Sequence, residues 1–550
     1  MNTRMMDGVL FANMIRGGAA TLSANKQIVN DLNVFPIPDG DTGDNMSMTI
    51  DSGVAALHTN RNDSLAETAS SAAKGMLLGA RGNSGVILSR IFAGISRGLE
   101  GVDTADVTVI GKAFESGVNE AYSAVSTPVE GTILTVYKDA VNYAGSKISP
   151  ESTLESYFDS FIKELKRSLE RTPLLLDVLK KAGVVDSGGA GFIYIAEGMK
   201  MALNGKEFSA LTSEQSSSRK IDLSAFDENS ILEFGYCTEF LLRLQTSKTD
   251  VENFDTEAFK EYLNSVGDSV VCFKDGTIVK VHVHTKKPGD ILNYCQQYGE
   301  FLTTKIENMT LQHNETHSQA HFEPQVKKPR KPYGIVSVAS GKGIKDVFTS
   351  LGCDVVVDGG QCMNPSAEDL ISAFRKVNAE KIFVYPNNSN IILTAQQAAL
   401  LYKEAQIYII PSKTIGEGYA SISMLDTQGK TAEEVIEEQK EVISGVITGI
   451  VSRSVRDTRQ CGIQIHKDEY IGFVGDDILN CSQDKNTALL TLAEKLDAVN
   501  YDIILVVCGE GVSVEESEEV YDKLTKANKR TEVIMIDGQQ PVYDYILILE

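Results

Sequence analysis

The spacing of apolar residues changes along the chain, and this change limits the possible folds more than any other feature of the sequence. From residue 1 to about residue 204, apolar residues recur at intervals of three and four, the period of an amphipathic helix. One such stripe includes Leu65 and Ala69, and a second, after a glycine break, includes Ile91 and Ile95. We therefore predict an all-α N-terminal domain over residues 1–204.

Beyond residue 204 the spacing of apolar residues changes twice. A polar stretch predicts a linker over residues 205–230, and residues 231–313 mix strand patterns such as TIVKVHVHT with helical patterns such as TEAFKEYLNSVG, which predicts a small α+β domain. After a polar, basic linker at 314–332, short apolar runs such as YGIVSVAS and KIFVYPN alternate with helical patterns. Because parallel strands need a crossover connection, usually a helix, this order predicts an α/β domain with a parallel sheet over residues 333–550.

The amino-acid composition argues against nucleic acid and membrane as partners of this chain. The net charge of −23 would repel a phosphodiester backbone, so nucleic acid is not an expected partner. No run of about 18 apolar residues is present, which argues against stable membrane insertion. The eight cysteines contain no CxxC pair, a usage typical of a reduced, cytoplasmic protein.

The segment NVFPIPDGDTGDNM, residues 33–46, concentrates Asp39, Asp41 and Asp44 in a glycine-containing turn. Asp39 and Asp41 are two residues apart, so both carboxylates can converge on one Mg²⁺ ion, which takes one or two protein carboxylates and fills its shell with water and phosphate oxygens. A calcium EF-hand is excluded, because Ile50 occupies the position of the closing glutamate. An ordinary Asp/Gly surface turn is the alternative.

Three further glycine-bearing segments lie in the same predicted domain: GARGNSGV, PVEGTILTV and VVDSGGAGF. In the first, Asn83 and Ser84 precede Gly85 and a predicted helix start, where free backbone N–H groups and the helix dipole favour a phosphate. No GK[ST] follows, so this is not a Walker A loop. Taken alone, this segment is more commonly a glycine turn between helices, but the four segments together favour a ligand.

In this order, the four segments resemble the ATP-binding helical domain of dihydroxyacetone kinase, and the whole chain resembles the ATP-binding catalytic subunit of bacterial fatty acid kinase. The resemblance implies a helical barrel that binds ATP and Mg²⁺. It also implies a kinase that phosphorylates a fatty acid held by a separate carrier protein, giving acyl phosphate for phospholipid synthesis. An acyl carboxylate is already ionised near pH 7, so it needs no general base.

The resemblance also assigns site residues. Magnesium ligation and transfer fall on Asp39 and Asp41, and Asn33 is the nearest counterpart of a third aspartate in the sugar kinases. The nucleotide contacts fall on Thr42, Gly43, Asp44, Asn45, Asn83, Ser84, Gly131, Thr132, Asp186, Ser187 and Gly188. Two other functions stay open: a kinase for a triose-like alcohol, and a nucleotide-sensing regulator without turnover.

A histidine pair lies in TIVKVHVHTK, where strand alternation places His282 and His284 on one face, about 7 Å apart. With Cys237 from another strand-like segment they form a plausible zinc ligand set that leaves one position open. Incidental histidines on a half-exposed strand are the alternative. The resemblance supports zinc at these three residues, and His284 is the one we expect to affect transfer.

The segment DGGQCMNPSAEDL follows a strand pattern and precedes a helical one, with Ser366 available as a helix cap. Loops at that end of a parallel sheet are the usual place for ligands. The fatty acid kinase family has threonine where this chain has Cys362. Because the last domain resembles the carrier's own fold, we expect it to dock the carrier or to form a homodimer. A role in packing alone is equally open.

Overall fold

The computed structural model describes residues 3–32, 41–59, 64–125, 127–206, 208, 236–251, 254–275, 277–308, 330–360, 363–460 and 462–550. Its described residues fall into two compact units. One unit comprises residues 1–212 together with 330–550, and the other comprises residues 213–329. Among the described helices, none combines the length and the apolar character that a membrane crossing requires.

The N-terminal part of the first unit is helical, as the apolar spacing predicts. Its helices are α1 (Gly8–Asn30), α2 (Thr42–Thr59), α3 (Leu65–Gly79), α4 (Gly82–Gly98), α5 (Val107–Ser123), α6 (Ile133–Gly145), α7 (Leu154–Leu175), α8 (Asp177–Ala182) and α9 (Ser187–Leu203), and two short strands, β1 (Met5–Met6) and β2 (Ala105–Asp106), pair antiparallel. The helices bury one common apolar core. Aromatic rings form part of it, with Phe114 and Phe161 edge to face at 5.4 Å between ring centroids.

A parallel sheet opens the C-terminal part of this unit. Its elements are β7 (Lys331–Ala339), α12 (Lys342–Ser350), β8 (Val355–Asp358), α13 (Ala367–Val377), β9 (Ala379–Tyr385), α14 (Ser389–Leu401), β10 (Gln406–Ile409), α15 (Ile415–Ser423) and α16 (Ala432–Gly445), and the strand order is β10-β9-β7-β8. All three strand pairs are parallel, as expected. Ser366 caps α13 in a capping box with Asp369, which fixes where that helix begins.

A second sheet, not predicted from the sequence, follows the parallel one. Its elements are β11 (Ile447–Arg453), β12 (Thr458–Gln460), β13 (Ile463–Ile465), β14 (Tyr470–Val474), β15 (Asp477–Ser482), α17 (Lys485–Lys495), a 3-10 turn (Ala498–Asn500), β16 (Ile503–Cys508), α18 (Val514–Ala527), β17 (Glu532–Asp537) and β18 (Tyr543–Leu549). The six-stranded order is β15-β14-β11-β18-β16-β17, while β12 and β13 pair separately. Only β16 and β17 pair in parallel among these six strands, so the prediction of a parallel sheet holds for the first half of 333–550 alone.

The helical part and the parallel-sheet part pack directly against each other. Helix α3 contacts α13, and α4 contacts α14. Leu78 of α3 adds to the apolar core beneath the parallel sheet. At the centre of this interface Gln397, 1% exposed, donates from Nε2 to the Leu77 carbonyl at 2.5 Å and accepts at Oε1 from Arg90 Nε at 3.0 Å. A buried amide with both of its ends paired stabilises one arrangement of the two parts.

The described residues of the second unit form an antiparallel sheet and two helices. Its elements are β3 (Tyr236–Leu244), α10 (Thr256–Val266), β4 (Asp268–Asp275), β5 (Ile278–Thr285), α11 (Pro288–Gln296) and β6 (Gly299–Asn308), and the strand order is β4-β5-β3-β6. Val279, Val281 and Val283 are fully buried in its core, as the alternation in TIVKVHVHT predicts. Cys295 is also buried there.

Candidate active site

The aspartate loop leads straight into a helix. Helix α2 begins at Thr42, and its first internal bond runs from the Asn45 N–H to the Asp41 carbonyl at 2.8 Å. Asp41 therefore stands at the N-terminus of α2, beside the positive end of the helix dipole. Gly43 is required here by close packing, because a Cβ atom at this position would lie 2.2 Å from the Lys26 carbonyl oxygen.

A segment that is distant in sequence, around Asn364, contacts Asp41. Asn364, which lies just before α13, donates from Nδ2 to Asp41 Oδ2 at 2.5 Å and lies 3.5 Å from Asn45 Oδ1. Gly82 opens α4 with φ +57°, and a Cβ atom there would lie 2.5 Å from Asn45 Nδ2. The backbone at Gly82 thus needs glycine for both its conformation and its space. The first turns of α2 and α4 consequently lie against each other.

Two more helix N-termini connect to this pair. Ser187, the first residue of α9, donates its hydroxyl to Thr42 Oγ1 at 3.2 Å. Asp186 caps α9 by accepting from the Gly189 N–H at 2.7 Å, and Gly188 of the same turn packs on Ile133, the first residue of α6, because a Cβ atom at Gly188 would lie 3.3 Å from Ile133 Cβ. The N-termini of α4, α2, α9 and α6 are therefore joined in that order by direct contacts. At α2 the Gly43 N–H already donates to Asn30 Oδ1 at 2.7 Å, whereas a helix start with unpaired first-turn N–H groups is suited to an anion.

Two carboxylates of this cluster have raised pKa values. Burial raises the pKa of Asp41 to about 6, and burial likewise raises the pKa of Asp186 to about 6. Among the described residues no Lys, Arg or His side chain forms an ion pair with Asp41. A half-buried carboxylate whose described side-chain partners are the amides of Asn45 and Asn364 fits a cation, since an adjacent positive charge lowers such a pKa again. The donor set at Asp41 is thus suited to Mg²⁺, which prefers oxygen ligands.

Most of the residues assigned by resemblance to the nucleotide lie at these four helix N-termini. Thr42, Gly43, Asp44 and Asn45 form the first turn of α2; Gly131 and Thr132 precede α6; Asp186, Ser187 and Gly188 begin α9. Helix α4 begins at Gly82, so the prediction that Asn83 and Ser84 precede the helix was wrong, and both lie inside its first turn. Arg81, at the N-cap of α4, makes no side-chain cap bond.

The other residues assigned to the metal and the nucleotide are Asn33, Asp39 and Asp44, and only Asp44 is among the described residues. Asn33 and Asp39 lie outside the described residues, so their part in the metal site stays a prediction. Asp44 is described, and its carboxylate is held towards α1 by Lys26 Nζ at 2.8 Å and Asn30 Nδ2 at 2.7 Å. Those contacts give Asp44 a role in fixing α2 on α1.

Sequence reasoning missed Asn364 and Arg81 as parts of this site. Arg81 donates from Nη1 to the Asn364 carbonyl at 2.6 Å and lies 3.5 Å from Asp369 Oδ2. The signal for Asn364 was present, because DGGQCMNPSAEDL lies at the carboxyl end of a parallel strand, where ligands usually bind. The sequence pattern does not predict the contact between Asn364 and Asp41, which are 323 positions apart. Cys362 of this segment lies outside the described residues.

The predicted zinc ligands lie on two paired strands of the second unit. In the antiparallel register of β3 and β5, Cys237 is opposite His284 and Glu239 is opposite His282. The side chains of Cys237, His282 and His284 are outside the described part of the chain. Among the residues that are described, no group of three or more His, Cys, Asp or Glu is placed to hold a metal ion.

Three family models match the chain in succession. They are the DAK2 domain over residues 36–201, the FakA-like middle domain of fatty acid kinase over 233–316, and the FakA-like C-terminal domain of fatty acid kinase over 334–550. The first match places the helix N-termini described above in a kinase-related domain. The other two matches relate the rest of the chain to fatty acid kinase.

Full-length relatives accompany these matches. Protein YloV of Bacillus subtilis is 39% identical over 558 residues, covering 100% of both chains, and an uncharacterised Staphylococcus aureus protein is 36% identical over 99% of both. Dihydroxyacetone kinase from C. freundii with AMP-PNP and Mg²⁺ aligns with 36% of this chain and 35% of its own at 19% identity and a TM-score of 0.29. The Streptococcus pneumoniae Fak B3 protein loaded with linoleic acid aligns with 40% of this chain and 99% of its own at 14% identity and the same TM-score. At such TM-scores neither structural alignment supports a conclusion.

Proposed function

This chain belongs to the FakA-like fatty acid kinase family, and on that premise we propose that it is an ATP- and Mg²⁺-dependent fatty acid kinase. Its acceptor is the carboxyl group of a fatty acid held by a separate carrier protein, and its product is acyl phosphate. The observation that carries the proposal is the chain of contacts that joins the N-termini of α4, α2, α9 and α6 beside Asp41.

The geometry suits the binding of a polyphosphate. First-turn N–H groups and aligned helix dipoles attract phosphate oxygens without any charged side chain. Asp41, with Asp39 as its proposed partner, is the oxygen donor for Mg²⁺, which neutralises phosphate charge when bound. Thr42 and Ser187, in mutual hydrogen bond at 3.2 Å, bring two hydroxyl groups to the same place. The residues around Asp41 thus supply the positioning and the charge neutralisation that phosphoryl transfer requires.

A carboxylate acceptor needs no general base to take its proton. A fatty acid carboxylate is ionised at neutral pH, because its unperturbed pKa is near that of a glutamate side chain, about 4.3. It can attack the γ-phosphate without first losing a proton. An alcohol acceptor would instead need a base to take its proton during the reaction. We therefore propose a carboxylate acceptor in preference to a triose hydroxyl.

We propose that the second unit binds one zinc ion through Cys237, His282 and His284. The strand register supports this, since it places Cys237 opposite His284, and His282 is two residues from His284 on the same strand. A thiolate and two imidazoles leave one position of a tetrahedral zinc site open. We assign His284 a part in transfer, and metal analysis of the purified chain tests the site.

The test of the kinase proposal is ADP release by the full chain with ATP and Mg²⁺, with and without a fatty-acid-loaded carrier. Without a carrier, turnover should be slow, because water is an unpositioned nucleophile and alignment is worth roughly 7 to 11 kcal/mol of barrier. The loaded carrier should raise ADP release by at least about 100-fold, and the empty carrier should not.

Two outcomes would contradict this proposal. Phosphorylation of dihydroxyacetone by the chain alone would make it a small-molecule kinase. Binding of Mg²⁺·ATP with no turnover on any loaded carrier would make it a nucleotide-sensing regulator. Chelation of Mg²⁺ should abolish ADP release in every case.

A further inference from the structure

We propose that Asn364, from the α/β part of the first unit, is a positioning residue of the nucleotide site in the helical part. It orients the Asp41 carboxylate, so that binding of the Mg²⁺-nucleotide depends on the docked C-terminal part. The inference deepens the proposed function and rests on it. It assigns part of the kinase site to a segment outside the residues matched by the DAK2 domain.

The first support is the direct contact. Asn364 Nδ2 lies 2.5 Å from Asp41 Oδ2, the carboxylate proposed to face the cation, and 3.5 Å from Asn45 Oδ1 in the first turn of α2. Asn364 is only 1% exposed. A buried amide at this distance restricts how the carboxylate can turn, because rotation of Asp41 would leave the amide N–H without an acceptor.

The second support is an unpartnered atom. Asn364 Oδ1 is buried and has no hydrogen-bond partner among the described residues, and the same holds for Asn83 Oδ1 in the first turn of α4. Leaving a buried acceptor unpaired costs about 1 to 3 kcal/mol, so native structures rarely do so without a reason. A cation-bound water near Asp41 would supply donors to such oxygens.

The third support is that Asn364 is itself held in place from the helical part. Arg81 Nη1 donates to the Asn364 carbonyl at 2.6 Å, and the Ala367 N–H donates to the Ala80 carbonyl at 3.3 Å. On its other side Ser366 caps α13. Because these contacts come from the turn between α3 and α4, the turn that opens α4 also fixes Asn364 against Asp41.

The experiment compares the full chain with its Asn364→Ala and Gln397→Ala variants. Gln397 lies in the same interface but contacts Leu77, Ser89 and Arg90, away from Asp41. Binding of AMP-PNP is measured by calorimetry, once with Mg²⁺ and once with chelator. Asn364→Ala should weaken Mg²⁺-dependent binding at least 10-fold and leave binding in chelator unchanged. Gln397→Ala should lower the melting temperature yet keep Mg²⁺-dependent binding within threefold.

A third variant, Asn364→Asp, gives a readout that a merely structural role would not produce. It places a second carboxylate against Asp41, so the melting temperature without metal should fall through repulsion. Mg²⁺ without nucleotide should then raise the melting temperature more than it does in the wild type. No such gain, or equal losses of binding in Asn364→Ala and Gln397→Ala, would overturn the inference.

Failure of the inference can be told from failure of the proposed function. If the wild type binds Mg²⁺·AMP-PNP and Asn364→Ala binds it equally well, the proposed role of Asn364 is wrong and the proposed kinase function is unaffected. If the wild type binds no Mg²⁺-nucleotide at all, the proposed kinase and the role of Asn364 fall together.

Discussion

Asp41 is the residue on which the proposed chemistry depends most. Asp41→Asn should lower ADP release on a loaded carrier by about 100-fold or more, since it removes a charge that holds Mg²⁺ against phosphate. The melting temperature without metal should not fall, because a half-buried carboxylate is replaced by a neutral amide that can still accept from Asn364. Steady-state kinetics and thermal unfolding check both statements, and turnover within tenfold of the wild type would make the loop a structural turn.

Asp51 provides a matched control. It lies on α2 ten residues beyond Asp41, about 15 Å along the helix, and burial raises its pKa to about 6 as well. Asp51→Asn removes the same charge from the same helix. ADP release by this variant should stay within threefold of the wild type, whereas an equal loss in both variants would point to a general effect of helix charge.

Asp186 should make stability depend on pH. Its pKa in the folded chain is about 6, against 3.8 for the free side chain, so folding favours the protonated form. Its contribution to stability is complete below pH 4 and is lost as the pH rises through about 6. Asp186→Asn removes this pH-dependent contribution to stability and keeps an acceptor for the Gly189 N–H.

The measurement for Asp186 is the difference in unfolding free energy between wild type and Asp186→Asn at a series of pH values. Between pH 4 and pH 7, the unfolding free energy of the variant should rise relative to that of the wild type by up to about 3 kcal/mol. This follows because the folded and free pKa values of Asp186 differ by about 2, and each unit corresponds to about 1.36 kcal/mol. A difference that stays constant over this range would contradict the account.

At the residue scale, local sequence singled out the segments that meet at the helix N-termini, and it missed the distant contacts. The glycines and aspartates of four segments indicated backbone near a ligand, and the structure brings those segments together at helix N-termini. The contact between Asn364 and Asp41 joins residues 323 positions apart. No local pattern encodes such a contact, since it depends on how the two parts of the unit dock.

At the element scale, the paired strands β3 and β5 carry the zinc prediction. The purified chain should contain about one zinc, because a thiolate and two imidazoles bind this metal tightly. A Cys237→Ser, His282→Ala, His284→Ala triple variant should lose it, and Cys272→Ser, on β4 of the same sheet, should keep it. Metal analysis of protein prepared without chelator checks this, and an absence of zinc in the wild type would remove the site.

The two sheets of residues 333–550 show why some elements were predictable and others were not. The strands β7, β8 and β9 alternate with the helices α12 and α13, which is the pattern of a parallel sheet. The later strands β14 and β15 are short and are joined by the two-residue turn Gly475-Asp476. Such a glycine turn between apolar runs is a hairpin signal, and it was available in the sequence. Strand order in the six-stranded sheet depends on long-range pairing, which periodicity does not encode.

At the scale of the whole molecule, the helical and α/β parts behave as one compact unit. The periodicity of the sequence separates them, because it reports elements and not the contacts between them. Their polar interface, with Arg81, Asn364 and Gln397 among its members, makes the C-terminal part a neighbour of the nucleotide site. The part expected to dock the carrier is therefore also in contact with the residues proposed to hold ATP.

The central claim is that the phosphoryl acceptor is a carboxyl group. An acyl phosphate is a mixed anhydride, so hydroxylamine added to the complete reaction should trap it as an acyl hydroxamate. We predict hydroxamate only when the chain, ATP, Mg²⁺ and a fatty-acid-loaded carrier are all present, in amounts that match the ADP released. ADP release on the loaded carrier without hydroxamate would contradict the account.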